Sequence, residues 1–198
     1  MTRCRRSVLA ETLPAALTRS GVTIVLGAAL TAAAAQVSVP VPGSPIPVTG
    51  QTFAVLLTAA ALGPVRGVSA QALYLAVGVA GLPVFAGAGY GPGVVFGVTG
   101  GYLVGFLAAA AIVGYGARRG ADRSPVRTLL LFAVGSAVIY TIGTAWLCLD
   151  TGMPLSAGIA AGVTPFLPGD AAKALLAAGL LPGAWRITGQ GTDSEAKR

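Results

Sequence analysis

Histidine is absent from the 198 residues, cysteine occurs twice, and Asp and Glu together number 6. These absences remove most of the chemistry of soluble enzymes. Without histidine there is no Ser-His-Asp triad, no histidine proton relay and no HExxH zinc site. No GxxxxGK[ST] loop occurs, which excludes ATP hydrolysis through a P-loop. Cys4 lies in an Arg-rich N-terminus and Cys148 at the far end of a long apolar run. A bridge between them has to reach across a bilayer, and neither sits at a metal-site spacing. No cofactor and no metal are expected.

What is present is apolar: 55% hydrophobic residues, 29 Gly, and only 10% charged residues, with a mean hydropathy of +0.80. That composition predicts an integral membrane protein. At about 20 apolar residues per crossing the length accommodates five or six helices and short loops, and so one domain. The net charge of +7 does not point to nucleic acid, because the arginines punctuate the apolar segments instead of interleaving with aromatics on one face.

Along the chain, residues 1–20 carry Arg3, Arg5, Arg6 and Arg19 and read as a cytoplasmic arm. A first helix is predicted over 22–35, where Ala28/Ala32 and Ala29/Ala33 provide small-xxx-small spacings for close helix approach. The same arm, run and Ala33-Ala34-Ala35 also resemble a signal peptide ending before Gln36; an intact mass starting at Gln36 would identify that form. Segment 38–52 holds four prolines and cannot be helical. Its Val and Ile residues suggest a lid folded over the protein, with a stiff surface connector as the alternative. Helices over 53–62 and 68–80 flank the turn Gly63-Pro64-Val65-Arg66-Gly67. Segment 81–101 is uncharged and glycine-rich with Phe85, Tyr90 and Phe96 inserted, which lets backbone approach backbone or ligand closely. Further helices are predicted over 102–115, 128–149 and 170–185.

All Lys and Arg residues but Lys173 fall in the N-terminal arm, at Arg66, in the loop 116–127 and after residue 185. An even six-helix count places those segments on one side, so both termini are expected in the cytoplasm. The fold class is therefore all-α: a polytopic protein with a 1–20 arm, a six-helix domain over 21–186 and a polar tail over 187–198. Lys173 is left as the basic residue of the opposite side, and Asp170 precedes it at the i, i+3 spacing that shares a helix face. An ionisable pair in an apolar segment is read first as a functional site. The structural alternative is Asp170 capping the helix with Lys173 snorkelling to the interface.

Several stretches follow one another in the order seen in a known family. These are Gln36-Val37-Ser38-Val39-Pro40-Val41-Pro42, Pro45-Ile46-Pro47-Val48-Thr49-Gly50-Gln51-Thr52, Leu62-Gly63-Pro64-Val65-Arg66-Gly67, Tyr74-Leu75 and Gly81-Leu82-Pro83-Val84-Phe85-Ala86-Gly87. Thr99-Gly100-Gly101-Tyr102-Leu103-Val104-Gly105-Phe106 and Pro165-Phe166-Leu167-Pro168-Gly169-Asp170-Ala171-Ala172-Lys173-Ala174-Leu175 complete the set. Over about 26–181 the chain resembles BioY, the substrate-binding S-component of energy-coupling factor (ECF) biotin transporters.

The resemblance implies a multi-pass cell-membrane protein that captures biotin at the outer face and has no enzymatic activity of its own. It implies docking through the first helix, at Ala28, Ala29, Ala32 and Ala33, onto a transmembrane coupling protein that carries two ATPase subunits. Biotin presents two ureido N–H donors, one strongly accepting carbonyl and a carboxylate tail. Asp170 accepts from N–H and Lys173 donates to carbonyl or carboxylate, Thr49 and Gln51 in the lid add hydrogen bonds, and Phe85 and Tyr90 are candidate walls. Tyr140 is a third candidate wall, with ordinary packing favoured by its mid-helix position. Family members often place a polar or basic residue around the glycine-rich loop, whereas Ala86-Gly87-Ala88-Gly89-Tyr90-Gly91 has none; Lys173, Tyr90 and backbone N–H groups are then the options for meeting the carboxylate. Two further readings are an S-component for another vitamin or a biotin precursor, and an intramembrane enzyme using Asp170 and Lys173 as acid and base. The lack of His, paired carboxylates and any nucleophile motif counts against the enzyme.

Overall fold

The computed structural model of the chain describes residues 8–12 and 20–188. Most of the N-terminal arm, with Cys4, and most of the C-terminal tail, with Lys197 and Arg198, lie outside the described residues. Helix α1 spans Ser20–Gln36 and ends where Val37-Ser38-Val39-Pro40 favours extended backbone. The proline-rich segment that follows is not helical, as its composition requires. It forms a short antiparallel hairpin of β1 (Ser38–Val39) and β2 (Val48–Thr49), pairing Ser38 with Thr49 and Val39 with Val48. These short strands are a local departure from an all-α fold.

Helix α2 runs over Gln51–Val79 but is broken at Gly63, whose φ of 80° and ψ of 177° are non-helical. A positive φ of this kind favours glycine, and Pro64 then presets the φ of the returning helix. The chain doubles back at this point. Gln51 Nε2 donates to Tyr74 OH at 2.6 Å across the hairpin, and a Cβ on Gly67 would stand 2.9 Å from Ala59 Cα. The two antiparallel rods, 51–62 and 64–79, are about 18 and 24 Å long at 1.5 Å per residue, shorter than a hydrocarbon core of about 30 Å.

Short helix α3 (Pro92–Phe96) leads into α4 (Gly100–Arg118), followed by α5 (Pro125–Thr151), the short α6 (Leu155–Gly162) and α7 (Leu167–Ile187). Among the described residues this makes six long helical rods, the two halves of α2 counted separately. Helix α6 falls in a stretch read as a loop. Its eight residues include two glycines and follow a proline, so sequence periodicity carries little signal there.

Helix α4 packs between α2 and α5, while α1 lies against α2 and α7 against α5. The core is built from Leu56, Ala59, Phe106, Ala109, Ala110, Val113, Phe132 and Ile139. Alanines interleave with the larger residues because helices in lipid gain little from apolar transfer and depend on close packing and interhelical hydrogen bonds. One such bond, Gln71 Nε2 to Thr31 Oγ1 at 3.3 Å, joins α1 to α2 in a fully buried position.

Candidate ligand-binding site

Helix α7 carries the charged pair into the bundle. Asp170 lies in its first turn, where the helix dipole favours a carboxylate. Its side chain makes no capping bond to α7. Lys173 Nζ lies 2.7 Å from Asp170 Oδ1, forming an ion pair with side chains only 18% and 8% exposed. The ammonium also donates to the carbonyl oxygen of Thr49 and to Thr52 Oγ1, both at 2.8 Å. Its three donors are thus all occupied.

The carboxylate is equally well partnered. Thr52 Oγ1 donates to Asp170 Oδ1 at 3.0 Å, Tyr140 OH to Oδ2 at 2.5 Å, and Ser136 Oγ to Oδ2 at 3.4 Å. Four elements therefore meet on one ion pair: the lid hairpin, the start of α2, α5 and α7. Leaving one buried member of such a pair without the other costs about 3–5 kcal/mol.

In front of the pair lies a cavity of about 270 Å³. Ile46, Pro47 and Thr49 of the hairpin form one side, so the proline-rich segment covers the cavity as a lid. Ser44 Oγ fixes this lid to α6 by donating to the carbonyl oxygen of Ala161 at 2.8 Å. Gln51, Thr52 and Tyr140 add polar groups to the wall, Phe85, Leu103, Phe106 and Phe166 its apolar faces, and Gly93, Val94 and Gly97 its glycine-rich side.

Of the residues singled out from the sequence, Thr49, Gln51 and Phe85 line the cavity. Phe85 is fully buried against Tyr74, edge to face at 5.4 Å. It is packed so tightly onto α2 that a Cβ on Gly78 would lie 2.2 Å from its ring. Asp170 and Lys173 stand one layer behind, reached through Thr52 and Tyr140. Tyr90 is 63% exposed and does not line the cavity. Tyr140 does line it, in addition to packing. Sequence reasoning missed Thr52 and Ser136, and it named Tyr140 as a wall without its bond to Asp170. Ser136 and Tyr140 share an i, i+4 face of α5, but no local pattern links that face to α7.

The four alanines of α1 divide between two faces. Ala28 is buried in the core and Ala32 packs against it, while Ala29 and Ala33 are exposed. Val22, Val25, Leu26 and Leu30 are exposed on the same helix.

A second buried carboxylate lies near the other end of α7. Asp122, in the turn between α4 and α5, is fully buried and accepts from Trp185 Nε1 at 2.6 Å. The Arg123 guanidinium carbon stands 4.2 Å from the Trp185 ring centroid. Burial pushes the Asp122 carboxyl up to about 6, against the opposing pull of the indole N–H and of Arg123.

The geometry has counterparts. The chain is 35% identical to biotin transporter BioY2 of Lactococcus lactis, over 77% of this chain and 82% of that one. It is 36% identical to biotin transporter BioY of Thermotoga maritima, over 76% and 86% respectively. The solved structure of an S-component for biotin from an ECF-type ABC transporter superposes with a TM-score of 0.79 at 21% identity, covering 94% of this chain and 99% of that one. The family model of the BioY family matches residues 6–190, and the chain belongs to that family.

Proposed function

We propose that the protein is the biotin-capturing subunit of a vitamin uptake system, a transporter component and not an enzyme. The relatives are named biotin transporters, and the cavity supplies a chemical reason. Thr52 Oγ1 bridges the ion pair, donating to Asp170 Oδ1 and accepting from Lys173 Nζ. An N–H beside a carbonyl, the edge that a cyclic urea presents, offers the same donor and acceptor in one rigid unit. Rotation of Thr52 lets that edge reach Asp170 and Lys173, with Tyr140, Thr49 and Gln51 around it and Phe85 against the ring. The bridging hydroxyl is the observation that carries this reading. An analogue without the urea cannot take the place of the Thr52 hydroxyl and so forgoes both charge-assisted bonds, which is how such a site discriminates.

With six crossings, the distribution of Lys and Arg puts both termini in the cytoplasm, and so the lid and the pair toward the outer face of the cell membrane. Lacking a P-loop, the subunit depends on partners for ATP hydrolysis: a transmembrane coupling protein with two ATPases. Ala29 and Ala33 offer that partner a flat outward strip, whereas Ala28 and Ala32 serve internal packing. Replacing Ala29 and Ala33 by Leu should abolish co-purification with the coupling module and leave biotin binding unchanged. Calorimetric titration of the purified protein with biotin, dethiobiotin and thiamine tests the ligand. Tight binding of the two ureido compounds is expected, and tight binding of thiamine with none of biotin would overturn the reading.

A further inference from the structure

Among the described residues the cavity presents no cation to an acidic tail. Among the described residues that line it there is no Lys or Arg. Lys173, just behind, has its three donors on Thr49, Thr52 and Asp170. A second carboxylate brought there would also meet the charge of Asp170. On the far wall the hydroxyl protons are committed to backbone carbonyls: Thr99 Oγ1 donates to Val94 at 3.1 Å and Tyr102 OH to Gly162 at 2.9 Å. The exposed backbone beside that wall, at Gly87, Ala88, Pro92 and Gly93, is neutral, and a backbone N–H there serves the oxygen of an ester or amide as it serves a carboxylate. Burying an ionised carboxylate without a counter-charge or hydrogen bonds is strongly unfavourable, so the tail carboxylate stays in water at the mouth, where its charge adds little.

Resting on the biotin reading, we propose that this site selects the bicyclic urea and is indifferent to the charge of the tail, so that neutral-tailed esters and amides of biotin are ligands as good as the free acid. The wall also shows how to reverse this. A Cβ on Gly93 meets nothing within 4 Å, so Gly93→Lys introduces a cation at the tail end without displacing a neighbour.

The test is competition binding to the purified full-length protein with biotin, biotin methyl ester and biotinamide at pH 7. Dissociation constants within about threefold of one another are expected for the native chain. For Gly93→Lys a preference for the acid over the amide of about tenfold is expected, weakening as salt is raised. A native preference for the acid of tenfold or more would overturn the proposal while leaving biotin binding intact. Failure of all three compounds to bind would overturn the biotin reading itself, which is a distinct outcome.

Discussion

Helix α7 holds a buried carboxylate near each end, and the two are built differently. Asp170 is paired with a cation and accepts from three hydroxyls of neighbouring elements beside a cavity. Asp122 is bound by an indole N–H and does not border that cavity. A carboxylate that faces open space through exchangeable hydroxyls can trade partners with a ligand. A carboxylate held by a fixed tryptophan can only fasten one segment to another. The contrast assigns recognition to the Asp170 end and locking of the loop between α4 and α5 to the Asp122 end.

The largest expected effect is on ligand affinity at the first end. Asp170→Ala or Lys173→Ala should weaken biotin binding by about ten- to a hundredfold, since each removes a charge-assisted hydrogen bond to the ureido edge, about 1.5–3 kcal/mol. Calorimetric titration measures this; unchanged affinity with reduced thermal stability would make the pair purely structural. Next in size, Trp185→Phe should lower stability by about 1–3 kcal/mol through the unpaired Asp122 carboxylate. Biotin affinity should then stay within threefold, and a larger loss would erase the difference between the two ends.

A smaller effect is linked to pH. The Asp122 carboxyl is raised to about 6 in the fold, so the folded chain holds its proton more tightly than the unfolded chain. Its contribution is fully present below about pH 4 and is lost as pH rises through 6, on the order of 2 kcal/mol. Asp122→Asn keeps a carbonyl acceptor for Trp185 and should flatten this part of the thermal-stability profile between pH 4 and 7. An unchanged slope in the variant would remove Asp122 as its source. Smallest of all, Tyr90→Ala should leave affinity within twofold, because Tyr90 stands outside the cavity.

How far the sequence reveals this arrangement depends on the distance over which each signal acts. Gly63-Pro64 marks its own helix reversal, because a positive φ followed by a preset one is local chemistry. The four prolines of 38–52 mark a non-helical lid for the same reason. Asp170 and Lys173 stand out because charge in an apolar helix is unfavourable wherever it occurs. The Thr52 bridge, the Ser136 and Tyr140 contacts and the Asp122–Trp185 lock are long-range: they join residues 118, 34, 30 and 63 positions apart, and no local pattern encodes them. Likewise Ala28 and Ala29 look alike in sequence, and only the packing of α1 on α2 turns one inward and the other outward.

The central claim is that the edge of a cyclic urea replaces the Thr52 hydroxyl between Asp170 and Lys173. The carbonyl stretch of biotin labelled with ¹³C at the ureido carbon reports on that edge directly. In the bound state it should move to lower frequency than in water, as expected for an oxygen accepting from an ammonium, and Lys173→Met should abolish the displacement. A bound carbonyl with the frequency it has in water, unaltered by Lys173→Met, would contradict the account.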